Sequence, residues 1–452
     1  MLLAAAGGLV AGARGLELAG PNGAVRLLLT TDADGRLQYS VSAGGQVRLA
    51  PAPAGIVVEG ADLGVDVSLG EAQSRRISET FPWRGHKARA TNHCVALEIP
   101  MRSKRAGVDW TLEARVFNDG AAFRYRVPGT GSRWVAGEST AFRLPRDATL
   151  WLQTNTGDYE GEYHSRPADQ VPLETTANNK TRPVHLGPPV TAVYADGTYG
   201  LLSEAALFQY SGMTLRPEGN ARFRAVFEDD AKGWRHDGPI RSPWRVLVWT
   251  PDLNGLVNSD VLPALCDPPD PELFPDGMNT AWIRAGKAPC TWMVFGNDGA
   301  QWDRQKWWVD VAAATGCEFL LVDAGWRTAR WGWLKDGGDV WARAAELCRY
   351  AAERKVGIVL WHAYPEGRRS FWDFLCGRVK KIIVRIETIP VSKELLGDYI
   401  NDASYRESFQ RWLNNLWEEK DMLLDMLIGK GKTAKIGRAR PVGAFTETDV
   451  LQ

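Results

Sequence analysis

The sequence lacks an excess of charge of either sign, because its 54 Lys and Arg residues are matched by 54 Asp and Glu residues. A protein that binds nucleic acid through the phosphates carries a basic surplus, so the balance argues against nucleic acid as a partner. After the first residues, the sequence also lacks any run near the roughly 18 to 20 apolar residues of a membrane-spanning helix. A membrane span is therefore not predicted.

Metal-binding and phosphate-binding motifs are missing as well. No Cys-x-x-Cys pair and no Cys/His spacing of a zinc site occurs, so the cysteines are expected to be small buried apolar residues rather than a disulfide framework. No Gly-x-Gly-x-x-Gly turn follows a predicted strand, which argues against a dinucleotide site. The six cysteines are Cys94, Cys266, Cys290, Cys317, Cys348 and Cys376.

The chain is rich in tryptophan. Its 452 residues are enough for two or three domains, and 44% hydrophobic residues provide ample core material. The 20 tryptophans fit either a large β-rich core or apolar platforms for sugar rings. Residues 1–16 resemble a weak signal segment, since an apolar stretch precedes Ala-Gly-Ala but no basic region precedes the apolar stretch. Export is therefore expected.

Residues 17–265 are dominated by short alternating runs that end in turn residues. "GAVRLLLTTDADGRLQYSVSAGG" is typical of two strands joined by an Asp-Gly turn, and "WTLEARVFNDGAAFRYRV" repeats this pattern around Asn-Asp-Gly. Many short strands with almost no helical periodicity predict a large antiparallel β-sandwich.

The pattern changes after a linker rich in Pro and Asp, which we place at residues 266–280. Over residues 281–370 the segments alternate. "APCTWMVF", "CEFLLVDAGW" and "VGIVLWHAY" are predicted strands, while "DRQKWWVDVAAATG" and "DVWARAAELCRYAAERK" are predicted helices. Apolar strands joined by helices indicate a parallel sheet covered on both faces, either part of a (β/α) barrel or an open doubly wound sheet.

Polar and aromatic residues follow the predicted strands. In parallel α/β domains the chemistry collects at the carboxyl ends of strands, where the loops vary freely. Carboxylates that accept hydroxyl hydrogen bonds, next to indole rings, suit a neutral sugar. Two structural alternatives remain: Asp323 caps the following helix or turn, and His362 is a structural histidine. The candidate substrate-binding residues are Asp323, Trp326, Trp361 and His362, with Trp292, Tyr364 and Glu366 nearby.

Six segments occur in a fixed order: "RVFNDGAAFRYRVP", "LLSEAALFQYSGMTL", "SPWRVLVW", "WIRAGKAPCTW", "QKWWVDVAAATGCEFLLVDAGW" and "KVGIVLWHAY". Through their order and spacing, the sequence from about residue 17 to 370 resembles glycoside hydrolase family 97. The resemblance implies an N-terminal β-supersandwich, a central (β/α)8 barrel and a secreted or periplasmic retaining α-galactosidase or inverting α-glucosidase.

The resemblance also implies a calcium ion near the sugar, with one glutamate ligand from the N-terminal domain. Glu160 in "GDYEGEYH" matches that glutamate best, and Glu162 and Glu204 are competitors. The catalytic acid and the nucleophile or base remain unknown, because the family's Gly-Val-Lys-(Val/Ile)-Asp-Phe and Gly-Asn-Glu-Tyr stretches are not found. The barrel is therefore expected to be incomplete.

Residues 371–452 have a different pattern and are expected to form an unrelated or frameshifted, partly helical tail. Around residues 380–435, "VRIETIP" and "SFQRWLNNLWEEKDMLLDML" resemble the C-terminal region of lysophospholipid acyltransferases. Three functions follow from the sequence. The first is a glycoside hydrolase acting on α-linked glucosides or galactosides, truncated and inactive as this chain. The alternatives are a non-catalytic carbohydrate-binding remnant and, from the tail only, a phospholipid acyltransferase fragment.

Overall fold

A computed structural model describes residues 11–12 and 15–361, apart from Asp158, Asn178, Trp282 and Ala329. The chain divides into two compact units, Met1–Pro268 and Pro269–Gln452. This boundary lies inside the stretch assigned above to a linker. Most of the signal segment, His362, Tyr364, Glu366 and the whole acyltransferase-like tail lie outside the described residues.

The first unit is built almost entirely from strands. They are β1 Ala11–Gly12, β2 Gly15–Ala19, β3 Val25–Thr31, β4 Leu37–Ala43, β5 Gln46–Pro53, β6 Ile56–Val58, β7 Ala61–Asp62, β8 Val67–Leu69, β9 Gln73–Pro82, β10 Arg89–Ser103, β11 Val108–Phe117, β12 Gly120–Val127, β13 Ser132–Glu138, β14 Ala141–Arg143, β15 Thr149–Leu152, β16 His164–Pro167, β17 Glu174–Ala177, β18 Lys180–Pro183, β19 Val190–Val193, β20 Tyr199–Ala205, β21 Thr214–Gly219, β22 Arg222–Val226, β23 Trp234–Asp237, β24 Ile240–Arg241 and β25 Trp244–Thr250.

These strands form two large antiparallel sheets and two small ones. An eight-stranded sheet has the order β1-β2-β3-β4-β5-β14-β22-β21. An eleven-stranded sheet runs β16-β15-β19-β20-β25-β12-β11-β10-β8, with β24 on β12 and β9 on β10. A four-stranded sheet, β23-β13-β6-β7, and the pair β17-β18 complete the unit.

Turn chemistry sets the register of the predicted hairpins. Between β3 and β4, the Asp32 carboxylate accepts hydrogen bonds from the backbone N–H groups of Asp34 and Arg36, at 3.1 and 2.9 Å. Gly35 has φ +73°, a conformation that side chains disfavour, so the Asp-Gly turn forms where it is predicted. The Asn118-Asp119 loop likewise joins β11 to β12.

The main core lies between the two large sheets. Tyr39 of β4 packs edge to face on Phe123 of β12, with ring centroids 4.6 Å apart, and both rings are buried. The predicted antiparallel sandwich is therefore confirmed. The other face of the eleven-stranded sheet packs on two short helices, α1 Leu253–Asn258 and α2 Val261–Leu265, which explains why β25 is buried along nearly its whole length.

The second unit alternates helices and strands. Its described elements are α3 Thr291–Phe295, α4 Gln305–Ala314, β26 Phe319–Val322, α5 Val340–Ala352 and β27 Gly357–Leu360. β26 and β27 pair in parallel, and α5 connects them, so the predicted strand–helix–strand pattern is confirmed for this segment. A barrel remains a prediction.

One predicted strand is wrong. The segment "APCTWMVF" forms a single parallel bridge, Cys290 with Leu321, and its Thr291–Phe295 portion is helix α3. The carbonyls of Lys287 and Pro289 do accept hydrogen bonds from the N–H groups of Phe319 and Leu321. Pro289 has no N–H to donate in return, which limits the ladder to this short contact.

None of the helices in the described part of the chain combines the length and the apolar character that crossing a lipid bilayer requires.

Candidate functional site

The carboxyl ends of β26 and β27 bring two of the predicted site residues to one edge of the parallel pair. Val322 pairs with Leu360, and the Trp361 N–H donates to the Val322 carbonyl at 2.9 Å. Asp323 and Trp361 are the residues that follow these two strands. The predicted placement of both at adjacent strand ends is therefore observed.

Asp323 is half-buried and already has two polar contacts. Its Oδ1 accepts the Ala324 N–H at 2.6 Å, and its Oδ2 accepts the Cys290 thiol at 3.3 Å. Burial raises the pKa of the Cys290 thiol, and the hydrogen bond to Asp323 raises it further, so the thiol stays protonated and donates. The contact to Ala324 is the turn-capping role left open above, and it leaves lone pairs on both carboxylate oxygens for a ligand.

Trp326 is a core residue, which corrects its assignment as a sugar platform. Its side chain is 3% exposed and packs against Trp333 and Trp341, with ring centroids 5.1 and 5.7 Å away. Its indole Nε1 donates to the Trp361 carbonyl at 2.6 Å. Trp326 thus fixes the turn after β26 to the end of β27.

Trp361 is the more accessible indole, at 43% exposed. Trp292, at 46% exposed, also offers an apolar surface, but it lies in the first turn of α3 rather than at a strand end. His362 lies outside the described residues, so its predicted role stays a prediction.

The three glutamates considered as calcium ligands lie in the first unit and differ in their surroundings. Glu204 of β20 is structural: its Oε2 accepts Arg245 at 2.6 Å and its Oε1 accepts the Met213 N–H at 3.0 Å. Glu160 and Glu162 are exposed on the segment between β15 and β16. Within the described ranges, no group of three His, Cys, Asp or Glu side chains is close enough to hold a metal ion. These residues alone therefore do not form a calcium centre.

A buried ion pair in the first unit and a thiol contact to Asp323 in the second unit were not predicted from the sequence. Arg245 and Glu138 form a fully buried ion pair with an Nη2–Oε1 distance of 2.6 Å. Their separation of 107 positions leaves no local signal. Cys290, expected from the sequence to be a small buried apolar residue, is only half-buried and donates its thiol to Asp323.

The sequence of the first unit matches the model of a known protein family. The sequence model described as Glycosyl-hydrolase 97 N-terminal matches residues 18–268, more than half of the chain. The chain belongs to glycoside hydrolase family 97. The resemblance noted in the sequence is thereby confirmed at the level of the family.

Two curated relatives of this family 97 chain extend the similarity beyond the first unit. The "Probable retaining alpha-galactosidase" of Streptomyces bingchenggensis is 34% identical over 355 residues, which cover 76% of this chain and 51% of that protein. The "Retaining alpha-galactosidase" of Bacteroides thetaiotaomicron is 25% identical over 388 residues, 78% of this chain and 56% of that protein. The chain thus spans about half the length of these relatives.

Solved structures support the fold. A β-arabinopyranosidase is similar with a TM-score of 0.65 and 21% identity, covering 89% of this chain and 60% of that one. A family 97 enzyme from Pseudoalteromonas sp. strain K8 in complex with acarbose has a TM-score of 0.62 and 21% identity. The match covers 76% of this chain and 53% of that one. None of these relatives supports the resemblance of the tail to acyltransferases.

Proposed function

We propose that this family 97 chain recognises α-linked galactosides or glucosides at the edge formed by the ends of β26 and β27. The observation that carries the proposal is the placement of Asp323 and the half-exposed Trp361 at adjacent parallel strand ends. The names of the curated relatives, both retaining α-galactosidases, favour galactosides as the first substrate class to test.

The two side chains suit the two faces of a sugar. The Asp323 carboxylate accepts hydrogen bonds from hydroxyl groups, and the Trp361 ring packs on the apolar C–H face. Hydrogen bonds from the Cys290 thiol and the Ala324 N–H hold the carboxylate in place. A fixed carboxylate loses little conformational entropy when a sugar binds, so the arrangement favours recognition.

We further propose that the 452-residue chain turns over these glycosides slowly or not at all. Glycoside hydrolysis requires two carboxyl groups on opposite sides of the bond, about 5 to 9.5 Å apart. Asp323 is the acid directly after a parallel strand among the described residues, and the sequence stretches in which the family keeps its acid and its nucleophile or base are not found. A single strand-end acid favours a carbohydrate-binding role over catalysis.

Turnover of aryl α-galactoside and aryl α-glucoside, with calcium present, tests the catalytic part. We expect wild type and Asp323→Asn to show the same background rate. Robust turnover by wild type that disappears in Asp323→Asn would instead establish a working glycosidase.

Calorimetric titration with galactose and glucose tests the binding part. Trp361→Ala should weaken the affinity about fivefold, because an aromatic face contact contributes about 1 kcal/mol. Trp151→Ala is the matched control, since Trp151 is 47% exposed but lies on β15. Equal affinities for wild type and Trp361→Ala would remove this residue from the site.

Two further assignments, calcium binding and export, are proposals as well. Glu160 is proposed to match a calcium ligand of complete relatives, and because the remaining ligands are missing in this chain, we expect its calcium affinity to be weak. Equal calcium affinity of wild type and Glu160→Ala in a calorimetric titration would exclude it. Export is proposed from the N-terminal segment, and cell fractionation tests it. The acyltransferase alternative rests on the tail alone, and no observation here favours it.

A further inference from the structure

The outer face of the eleven-stranded sheet carries arginines around a small depression. Ala96 of β10 pairs with Arg75 of β9 on one side and with Arg115 of β11 on the other. Directly paired residues share one face of an antiparallel sheet, so the two arginines flank a small side chain. The depression has a volume of about 280 Å³, and its charged lining residues are Arg75, Glu98, Glu113, Arg115, Arg124 and Arg241.

Most charges around the depression are compensated by a neighbour. The ion pairs are Arg124 with Glu113 at 2.5 Å, Arg126 with Glu98 at 2.9 Å and Arg241 with Asp267 at 2.8 Å. Glu79 lies four residues after Arg75 on the same face of β9, and it accepts a hydrogen bond from Asn92. These contacts use the nearby carboxylates and leave a local surplus of positive charge.

The surplus resides on Arg75 and Arg115, neither of which forms an ion pair within the described ranges. Arg75 is exposed, whereas Arg115 is half-buried and donates to the Ala264 carbonyl at 2.8 Å. Burial is the main cause that lowers the pKa of Arg115, and the positive charge of Arg75 acts in the same direction. Glu113 and Asp267 act against this lowering, but Arg75 and Arg115 flank Ala96 on one face of the sheet, where their like charges repel.

Trp244 forms part of the wall of the depression. Its side chain is 1% exposed, it lines the depression, and its buried indole Nε1 meets no acceptor among the residues that the structure describes. The guanidinium carbons of Arg124 and Arg115 lie 4.2 and 5.0 Å from its ring centre. These cation–π contacts help to hold the two guanidinium groups at the wall of the depression.

We propose that this depression binds a small oxyanion, a carboxylate or a phosphate, between Arg75 and Arg115. Guanidinium groups present paired N–H donors that match two oxygens of such an anion, and the anion relieves the repulsion between the two cations. A volume of about 280 Å³ accommodates an inorganic ion or a single sugar acid. The site lies wholly in the first unit and does not depend on the proposed glycoside site in the second.

Calorimetric titration of the full chain with inorganic phosphate and with D-glucuronate tests the proposal, with D-glucose as the neutral counterpart. We expect wild type to bind at least one of the anions. Arg75→Gln and Arg115→Met should each weaken that binding about tenfold or more, because each removes charge-assisted hydrogen bonds. Arg76→Gln is the matched control, since Arg76 pairs with Val95 on the opposite face of β9 and should leave the affinity unchanged.

Binding of phosphate alone would identify an inorganic ion as the source, and binding of glucuronate alone would identify a sugar acid; both support the site. No binding of either anion by wild type would overturn the proposal. Equal anion affinity of wild type and Arg75→Gln would overturn it as well. Because Arg75 is exposed, its substitution tests the site even where Arg115→Met disturbs the sheet.

Discussion

Arg245 and Glu138 show how a single buried ion pair is kept charged in the core of the first unit. Both side chains are 0% exposed. Glu138 also accepts hydrogen bonds from Tyr210 at 2.9 Å and Thr140 at 2.7 Å, so its lone pairs are well used. Burial lowers the pKa of Arg245, but Glu138 and Glu204 outweigh burial and hold that pKa above its ordinary value.

Removing Glu138 should therefore destabilise the first unit strongly. Glu138→Ala leaves the buried guanidinium with Glu204 alone, and we expect a loss of about 3 to 5 kcal/mol in the free energy of unfolding. Urea denaturation measures this loss. Glu17→Ala is the control, because the Glu17–Arg26 pair is exposed and should contribute less than about 1 kcal/mol. Similar losses for the two variants would contradict the assignment of Glu138.

Asp196 provides a pH-dependent contribution from the surface of the same unit. Hydrogen bonds from Arg48, at 2.6 Å, and from Thr198 lower the pKa of the Asp196 carboxyl. A carboxyl with a lowered folded-state pKa stabilises the protein fully above its ordinary pKa of about 4, and the contribution is lost as the pH falls through the folded-state pKa. Asp196 is 40% exposed, so solvent screening limits the contribution to about 1 kcal/mol.

We therefore expect Asp196→Asn to be less stable than wild type at pH 7 and the difference to shrink as the pH falls below about 4. Urea denaturation at several pH values measures both proteins. Asp147→Asn, at an exposed position after β14, should show no such trend. A difference between Asp196→Asn and wild type that grows at low pH would contradict the sign.

At the scale of elements, local signals explain what the sequence predicts well. The hairpin turn at Gly35 needs a glycine conformation, and the periodicity of α4 and α5 persists over several turns. The segment Thr291–Phe295 was predicted as a strand but forms helix α3, because an apolar run of this length fits a buried strand and a helix equally well.

The candidate site also contains residues that the sequence predicts well and residues that it does not. Asp323 and Trp361 follow apolar strands and were predictable from that position alone. The burial of Trp326 was not, since it results from packing against Trp333 and Trp341 after the chain has folded. The same holds for β14, which pairs with β5 and β22, strands far from it in sequence.

Helix α5 begins with a side-chain cap, Asp339. The Asp339 carboxylate accepts the N–H groups of Trp341 and Ala342, at 2.9 and 3.2 Å, in the first turn of the helix. Asp339→Ala should destabilise the second unit by about 1 kcal/mol, whereas Asp339→Asn should retain most of the stability because asparagine also caps helices. Hydrogen exchange of the α5 amides measures the effect. Equal exchange rates in wild type and Asp339→Ala would exclude the capping role.

At the scale of the whole molecule, each unit has a hydrophobic core of its own. The first unit encloses the core between its two large sheets and a smaller one beneath α1 and α2. The second unit has a separate core that includes Trp308, Trp326 and Trp333. A unit with its own core is expected to fold independently.

The buried Arg245–Glu138 pair also reports whether the first unit folds on its own. A fragment of residues 15–268 should unfold cooperatively, because every side chain bonded to Glu138 and Arg245 lies within the first unit. The loss caused by Glu138→Ala in the fragment should then match the loss in the full chain within about 0.5 kcal/mol, as expected for independent units. Urea denaturation of fragment and full chain, each with and without the substitution, gives the four free energies. A fragment without a cooperative transition, or a clearly smaller loss in the fragment, would show that the second unit helps to stabilise this core.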